Sequence, residues 1–264
     1  MNFIDSHAHI NDPAFDADRA QIIQKSFDSG LSHIVEIACE EQEWQPAVEL
    51  SQKYNGKIYP VCGMHPIYAK TFTEQNGAKL ETFLNNPLVK AVGEIGLDYA
   101  YLHESSKEVQ QEVFLKMLLA ADKYQKPVVL HCRKTNDAGD FAAYDDMANI
   151  FKQKPAVKGG IMHCFSGRYS DAVWALDNGL LIGINGIIGY KKNEDLRQTI
   201  KKIGAKYLVV ETDCPYLPPQ SKRGQRNDPS NIPEIAATTA DVLGISLNSL
   251  ADITTQNTRD LFKF

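Results

Sequence analysis

Short apolar runs that end in a histidine or a carboxylate recur along the chain, and this pattern restricts its possible folds more than any other. In Val157–Ser166, an apolar run ends at His163, and a turn is predicted directly after it. Such a run is typical of a buried parallel strand whose polar residue emerges at its C-terminal end. The same design recurs in Phe3–His9, in Val89–Asp98 around Glu94, in Pro127–Arg133 around His131, and in Tyr207–Asp213. The pattern predicts strands that each deliver a metal-binding side chain to a common rim.

Strand-like and helix-like segments alternate from one end of the chain to the other, which predicts a parallel sheet with helical connections. The predicted strands are Asn2–Ile10, His33–Ala38, Ile58–Cys62, Val89–Ile95, Pro127–His131, Gly159–Cys164, Leu180–Ile184 and Tyr207–Glu211. A long helix is predicted at about Ser106–Tyr124, and two helices at about Pro233–Leu243 and Leu247–Phe262 close the chain. Eight such units in 264 residues match the usual size of a (β/α)8 barrel, about 250 residues.

An open, doubly wound sheet is the rival architecture for this alternation. The candidate ligands, however, come from the first, fourth, fifth, sixth and eighth predicted strands. Only a closed ring brings the ends of the first and last strands to one centre, and barrel enzymes place their chemistry on that face. We therefore expect one α/β domain over residues 1–264, a TIM barrel with an extra C-terminal helix.

Composition narrows the possible classes of protein. No apolar run approaches the roughly 18 residues of a membrane span, and no secretion signal is recognisable at the N-terminus. Five cysteines without C-x-x-C spacing favour reduced thiols in a cytoplasmic protein over a disulfide framework. The net charge of −5 gives no support for broad non-specific duplex binding. It still allows a phosphate substrate that is met by metal ions and a few local basic residues.

The polar residues at the strand ends have the chemistry of metal ligands. His7 and His9 are two residues apart, so both imidazoles point to one face of a strand. Asp5 lies on that face one step deeper, either as an orienting group or as a structural carboxylate. Glu94 lies inside an apolar strand, where a carboxylate is costly unless it is paired or bound to metal. Asp213 is well placed as a ligand and as the base on a metal-activated water.

Six residues are candidate ligands: His7, His9, Glu94, His131, His163 and Asp213. Six are too many for one tetrahedral ion with an open position, and two ions that share Glu94 fit better. Mixed imidazole and carboxylate ligands suit Zn, Mn or Fe, whereas Mg demands more oxygen. Two neighbouring ions can clamp the attacking and leaving oxygens of a phosphoryl displacement. The sequence predicts one ion on His7, His9, Asp213 and Glu94, and the other on His131, His163 and Glu94.

Seven short motifs follow one another over nearly the whole chain: Asp5-Ser6-His7-Ala8-His9, Gly63-Met64-His65-Pro66, Gly93-Glu94-Ile95-Gly96-Leu97-Asp98, His131-Cys132-Arg133, His163-Cys164-Phe165-Ser166-Gly167, Glu211-Thr212-Asp213-Cys214-Pro215 and Arg226-Asn227-Asp228-Pro229. In this order they resemble the TatD family of metal-dependent hydrolases, in the amidohydrolase superfamily. The resemblance implies a TIM barrel that binds divalent metal on the six ligands above, with Mg, Mn or Zn as candidate ions. It also implies a deoxyribonuclease, with 3′ exonuclease activity in some members.

The substrate-contacting residues are predicted to be His65, Arg133, Ser166 and Arg226. The resemblance suggests a phosphate contact for His65. Arg133 can grip a phosphate with two hydrogen bonds, or merely pair with a nearby carboxylate. Ser166 begins a helix whose N-terminus is a ready anion site. Basic loop residues interleaved with Tyr190 and Tyr216 either hold a single strand by charge and stacking or form an ordinary solvated rim.

The leading hypothesis is a phosphodiesterase that degrades DNA, single-stranded or at 3′ ends, with Asp213 and Glu94 as catalytic groups. The alternative is a metallohydrolase that acts on a small-molecule amide, ester or phosphoester. Many such enzymes bridge two metals with a carboxylated lysine. In this chain, Glu94 of the fourth predicted strand occupies the bridging position instead. A third reading is a barrel with structural metals that serves a protein partner. The sequence shows no interaction motif for it, so no obligate protein partner is expected.

Overall fold

The computed structural model describes residues 1–137 and 139–264. Eight strands form one sheet whose spatial order is the chain order, and every neighbouring pair in it is parallel. The strands are β1 (Phe3–Ala8), β2 (Leu31–Ala38), β3 (Ile58–Cys62), β4 (Ala91–Asp98), β5 (Val128–Arg133), β6 (Gly160–Met162), β7 (Leu180–Ile184) and β8 (Leu208–Val210). The predicted (β/α)8 architecture is confirmed.

Helices follow the strands and cover the outside of the sheet. They are α1 (Arg19–Asp28), α2 (Glu41–Lys53), α3 (Glu74–Leu84), α4 (Lys107–Lys123), α5 (Ala142–Gln153), α6 (Tyr169–Asp177), α7 (Glu194–Ile203), α8 (Ile232–Leu243) and α9 (Leu247–Phe262). The extra C-terminal helix, α9, has the predicted bounds. Within residues 1–137 and 139–264, none of the helices combines the length and the apolar character that a membrane span requires.

Three strands end earlier than predicted. The first ends at Ala8, the sixth at Met162 and the eighth at Val210. The backbone turns away from the sheet at this rim, because Cys164 and Asp213 have φ angles of 45° and 58°. His9, His163 and Asp213 therefore lie just beyond their strands rather than within them. This leaves their side chains free to point toward the barrel axis.

The inside of the ring is filled by small apolar side chains. Residues of β1 to β6 and β8 form one buried apolar cluster: Ile4, Val35, Ile37, Val61, Ala91, Val129, Ile161 and Val209. Phe262 of α9 joins the same cluster, and the Phe264 ring stacks on Tyr59 at 4.2 Å between centroids. A barrel interior of this kind is a packed core and not a pore. The C-terminal mouth of the barrel is thus left as the place for chemistry.

The ring closes where β8 meets β1. The Asp213 N–H donates to the His7 carbonyl at 2.9 Å, and the His9 N–H donates to the Cys214 carbonyl at 2.9 Å. Asp5 adds a side-chain link, since it accepts from the Thr212 N–H at 2.9 Å and from the Thr212 hydroxyl at 2.5 Å. An open sheet is therefore excluded. Of the two readings of Asp5, the structure favours the structural carboxylate.

We predict that Asp5→Ala destabilises the barrel. Asp5 is fully buried and also accepts from the His7 N–H at 3.2 Å, so its loss leaves buried donors without an acceptor, at about 1–3 kcal/mol each. Urea denaturation should show a fall in the free energy of unfolding of about 2–5 kcal/mol. The exposed Asp252 of α9 provides the control, because Asp252→Ala should stay within about 0.5 kcal/mol of the wild type. Equal stability of Asp5→Ala and the control would contradict the proposed link.

Candidate metal centre

The six predicted metal ligands converge at the C-terminal mouth of the barrel. They come from five different strands or the residues directly after them: His7 and His9, Glu94, His131, His163 and Asp213. The ligand atoms of His7, His9 and Glu94 all lie within 4.8 Å of one another. The same holds for Glu94, His131 and His163. The structure therefore brings the whole predicted set together.

Glu94 lies at the centre of the cluster and is only 3% exposed. Its Oε2 atom lies 3.3 Å from Nε2 of His7 and 3.9 Å from Nε2 of His9. Its Oε1 atom lies 2.6 Å from Nδ1 of His131 and 3.8 Å from Nε2 of His163. The two carboxylate oxygens thus face different pairs of imidazoles.

Asp213 lies between the two imidazole pairs. Its Oδ1 atom is 3.4 Å from Nε2 of His9, 3.5 Å from Nε2 of His163 and 3.8 Å from Nε2 of His7. The sequence predicted Asp213 in one group with His7, His9 and Glu94, so the contact with His163 is an addition. The Asp213 side chain is 13% exposed, against 3% for Glu94, and this carboxylate is therefore the one that faces the open side.

Glycines allow the backbone to come close enough to build the centre. A Cβ atom on Gly93 would lie 2.7 Å from the Cβ of Val129, and one on Gly63 would lie 2.7 Å from the Gly93 carbonyl carbon. Gly96 has a φ of +138°, and a Cβ there would lie 2.0 Å from the His131 carbonyl oxygen. The glycines that flank Glu94 in the sequence are thus required by packing.

The charges of the cluster perturb the ionisation of its members. Burial alone would raise the pKa of Glu94, but the surrounding imidazoles, led by His7 and His163, hold that pKa well below its usual range. Burial lowers the pKa of His131, but Glu94 and Asp98 outweigh it and raise the value to about 10. The pKa of His163 is likewise raised to about 9 despite burial, mainly by Glu211 and Asp213. The cluster therefore favours bound positive charge.

The donor set fits a divalent cation. Imidazole nitrogens and carboxylate oxygens are together typical ligands of Zn, Mn and Fe. A buried carboxylate such as Glu94 is stabilised when it is paired with a cation. Residues of this chain that could hold such an ion are therefore present in one cluster.

His65 also reaches the cluster. Its Nε2 atom lies 3.7 Å from Oε1 of Glu94, and its ring centroid lies 4.4 Å from that of His131. The Nδ1 atom accepts a hydrogen bond from the Ile67 N–H at 3.2 Å. Burial lowers the pKa of His65 to about 3, so its imidazole is neutral. The residue is only 8% exposed and lies deeper than a rim position.

The other three predicted substrate contacts lie farther out. Arg133 is exposed and packs over the Tyr101 ring at 5.2 Å. Ser166 is exposed, with its Oγ 3.4 Å from the Tyr144 hydroxyl. Arg226 instead pairs with Asp18 through two contacts of 3.0 and 2.5 Å. A phosphate at Arg226 would therefore compete with a carboxylate that is already in place.

The sequence reading did not assign two buried carboxylates that contact the ligands. Asp98 lies 3.0 Å from Nε2 of His131, and Glu211 lies 2.9 Å from Nδ1 of His163. Both stand an even number of residues from a predicted ligand, Asp98 four after Glu94 and Glu211 two before Asp213. On the predicted strands, alternation places such residues on the same face as the ligands, and this signal could have suggested them, although Glu211 lies beyond the observed end of β8.

A closed parallel barrel with a cluster of imidazoles and carboxylates at its C-terminal mouth defines a metal-dependent barrel hydrolase. The family model described as TatD related DNase matches residues 4–263. The chain belongs to this family, as its motifs predicted.

Similar proteins cover almost the whole chain. A protein named uncharacterized metal-dependent hydrolase YabD, from Bacillus subtilis (strain 168), is 31% identical over 260 residues, 98% of each chain. The 3′-5′ ssDNA/RNA exonuclease TatD of Erwinia amylovora is 30% identical over 264 residues, again 98% of each. The crystal structure of YJJV, a TatD homologue from Escherichia coli K12, superposes with a TM-score of 0.91 at 28% identity, over 99% of this chain and 98% of that one.

We predict that a divalent cation displaces protons when it binds. The pKa values of His131 and His163, about 10 and 9, mean that both imidazoles carry an extra proton at pH 7.5, and a cation needs the unprotonated nitrogen. The apparent affinity should therefore rise with pH up to about pH 9–10. Titration calorimetry with Mn²⁺ in two buffers of different ionisation enthalpy should reveal release of at least one proton, and His131→Gln should release fewer. Identical heats in the two buffers would contradict the protonated state.

Proposed function

We propose that this chain is a phosphodiesterase that removes nucleotides from the 3′ end of single-stranded DNA or RNA, with residues 1–264 acting as one domain. The observation that carries the proposal is the position of Glu94, whose two oxygens face two separate imidazole pairs. One carboxylate shared by two cations has this arrangement, and two-metal sites are typical of nucleases and phosphatases. The name of the Erwinia relative supports nucleic acid as the substrate.

We propose that the centre holds two divalent ions, with Mg, Mn and Zn as candidates. His7, His9 and Asp213 would hold one ion, His131 and His163 the other, and Glu94 both. Such ions, when bound, lower the pKa of a water molecule and stabilise negative charge on a phosphate.

Asp213 is proposed as the general base. Its pKa is lowered because His163, His9 and His7 outweigh the effect of burial, so the carboxylate is ionised and ready to accept a proton. It is also the more exposed of the two central carboxylates. A water that enters from the open mouth thus meets Asp213 before Glu94.

His65 is proposed as a hydrogen-bond donor to the substrate and not as a base. Its imidazole is neutral, and its Nδ1 already accepts from the Ile67 N–H. A neutral imidazole carries one proton, which must then be on Nε2, the atom that faces the cluster. From there it can donate to a phosphate oxygen.

Tyr216 is proposed to stack on a nucleobase of the substrate. The side chain is 55% exposed, its ring lies 6.1 Å from the His9 ring, and its hydroxyl donates to Asp12 at 3.1 Å. Tyr190, the other candidate, is only 7% exposed and its hydroxyl donates to the Pro218 carbonyl. Tyr216 therefore offers a ring face beside the centre that Tyr190 does not.

A cytoplasmic location is also proposed. All five cysteines are free thiols, and four of them are buried. Free cysteines are typical of proteins in a reducing compartment.

We predict that Asp213→Ala abolishes turnover while the barrel stays folded. Loss of a general base typically costs about 10²–10⁴-fold in rate, and loss of a cation ligand adds to this. The assay follows the loss of 3′-labelled single-stranded oligonucleotide with Mg²⁺ or Mn²⁺, with an EDTA arm and with Glu94→Ala prepared in parallel as the contamination control. A folded, active Asp213→Ala would overturn the assigned role. A wild type that binds metal but degrades no oligonucleotide would point to amides or small esters as substrates.

We predict that Tyr216→Ala weakens oligonucleotide binding more than it affects chemistry. Base–aromatic stacking is worth about 1–3 kcal/mol per base, so KM should rise about 5- to 100-fold, while Tyr216→Phe keeps the ring and stays near wild type. Hydrolysis of bis(4-nitrophenyl) phosphate, which lacks a nucleobase, serves as the matched reference reaction. Equal losses on both substrates would show that Tyr216 acts on the centre itself and not on a base.

A further inference from the structure

His131 lies between two carboxylates, one at each ring nitrogen. Nδ1 is 2.6 Å from Oε1 of Glu94, and Nε2 is 3.0 Å from Oδ2 of Asp98. Asp98 is only 2% exposed. The side of the ring that faces away from the centre is thus held by a buried anion.

His163 has the same arrangement with its nitrogens exchanged. Nε2 faces the centre, 3.8 Å from Oε1 of Glu94, and Nδ1 lies 2.9 Å from Oε1 of Glu211. Glu211 is fully buried. The contact of Nδ1 with Glu211 is a close ion pair that is not aligned as a hydrogen bond.

Groups outside the cluster hold both residues. The buried Gln110 side chain of α4 accepts from the backbone N–H of Asp98 at 2.7 Å and donates to its backbone carbonyl at 3.0 Å. The carboxylate of Asp98 accepts from the Ala100 N–H at 3.1 Å through Oδ1. Glu211 accepts from the Cys164 N–H at 2.7 Å. A Cβ on Gly183 of β7 would lie 2.4 Å from Oε2 of Glu211, so the glycine leaves the space that this carboxylate fills.

His7, on the other side of Glu94, is supported less closely. Its Nδ1 atom is buried and, like that of His163, makes no hydrogen bond to any residue that the structure describes. A ring nitrogen of His7 lies within 4.8 Å of a Glu211 oxygen, whereas the outer nitrogens of His131 and His163 each have a carboxylate oxygen within 3.0 Å. The two halves of the centre therefore differ in how closely a carboxylate backs the imidazoles.

We propose that Asp98 and Glu211 are positioning residues for the half of the centre made by His131, His163 and Glu94. Each carboxylate keeps a proton on the outer ring nitrogen, which is Nε2 in His131 and Nδ1 in His163. When a cation displaces the second proton, the inner nitrogen presents its lone pair beside Glu94. A carboxylate behind a ligating imidazole fixes the ring and increases its basicity. This inference rests on the cation site of the proposed function.

The test is a stepwise calorimetric titration of the full-length protein with Mn²⁺. Asp98→Ala and Glu211→Ala should weaken one of the two ions about 10- to 100-fold and leave the other nearly unchanged. The weakened ion should be the one that His131→Ala weakens most, and not the one that His9→Ala weakens most. Asp98→Asn, which keeps an acceptor but no charge, should lose less affinity than Asp98→Ala.

A double-mutant cycle separates positioning from a purely structural role. If Asp98 acts through His131, Asp98→Ala should cost no further affinity in a His131→Ala background. Glu36 is the matched control, since it is also buried and binds the Ile10 and Asn11 N–H groups at 2.7 and 3.0 Å, with no imidazole contact. Glu36→Gln should lower stability without weakening the His131 ion.

Two results would overturn the proposal. One is unchanged Mn²⁺ affinity in folded Asp98→Ala and Glu211→Ala, and the other is additive losses in the cycle. If Asp98→Ala fails to fold, Asp98→Asn provides the test of the positioning role, because wild-type affinity in that variant counts against the proposal. If the wild type binds only one ion, the two-ion proposal fails by itself. Positioning is then decided by whether that ion weakens in Asp98→Asn but not in Glu36→Gln.

Discussion

The mouth of the barrel is organised around the buried negative charge of Glu94. An ionised carboxylate in a site that excludes most water is stable only when positive charge lies close to it. Four imidazoles supply that environment and hold the pKa of Glu94 far below its usual range. The glycines beside it have no Cβ atom, so neighbouring backbones can approach closely. The surrounding imidazoles, the carboxylates of Asp98 and Glu211 beside them, and the open side at Asp213 are all arranged around this one charge.

Closure of the ring is what makes the centre possible. Asp213 and His7 are more than 200 residues apart in the chain, yet a backbone hydrogen bond of 2.9 Å joins them. Asp5 reinforces this seam through Thr212, the residue that precedes Asp213. The stability of the barrel and the position of Asp213 therefore depend on the same few contacts, so a change in the seam would also move a carboxylate of the cluster.

Local pattern was enough to predict the barrel and the convergence of the six candidate ligands, because alternating strands and helices predict a parallel barrel and these residues stand in or just after its strands. The local pattern was insufficient for features that depend on contacts between residues far apart in the chain. The pairing of Arg226 with Asp18 joins residues that no spacing rule relates. Exposure separates Tyr216 from Tyr190, although both stand in similar loops. The ends of the strands at His163 and Asp213 depend on left-handed backbone turns, and the apolar pattern does not encode these turns.

Phe262 belongs to the cluster that fills the barrel, and Phe264 stacks against Tyr59 and His33 near the start of β3 and β2. The inner core is thus completed by residues that a ribosome adds after all eight strands have been made. Until then the growing chain carries an unfinished apolar interior. Chaperone capture and sensitivity to proteases should accordingly be greatest in nascent chains that end before α9, even though all six candidate cation ligands have already been synthesised.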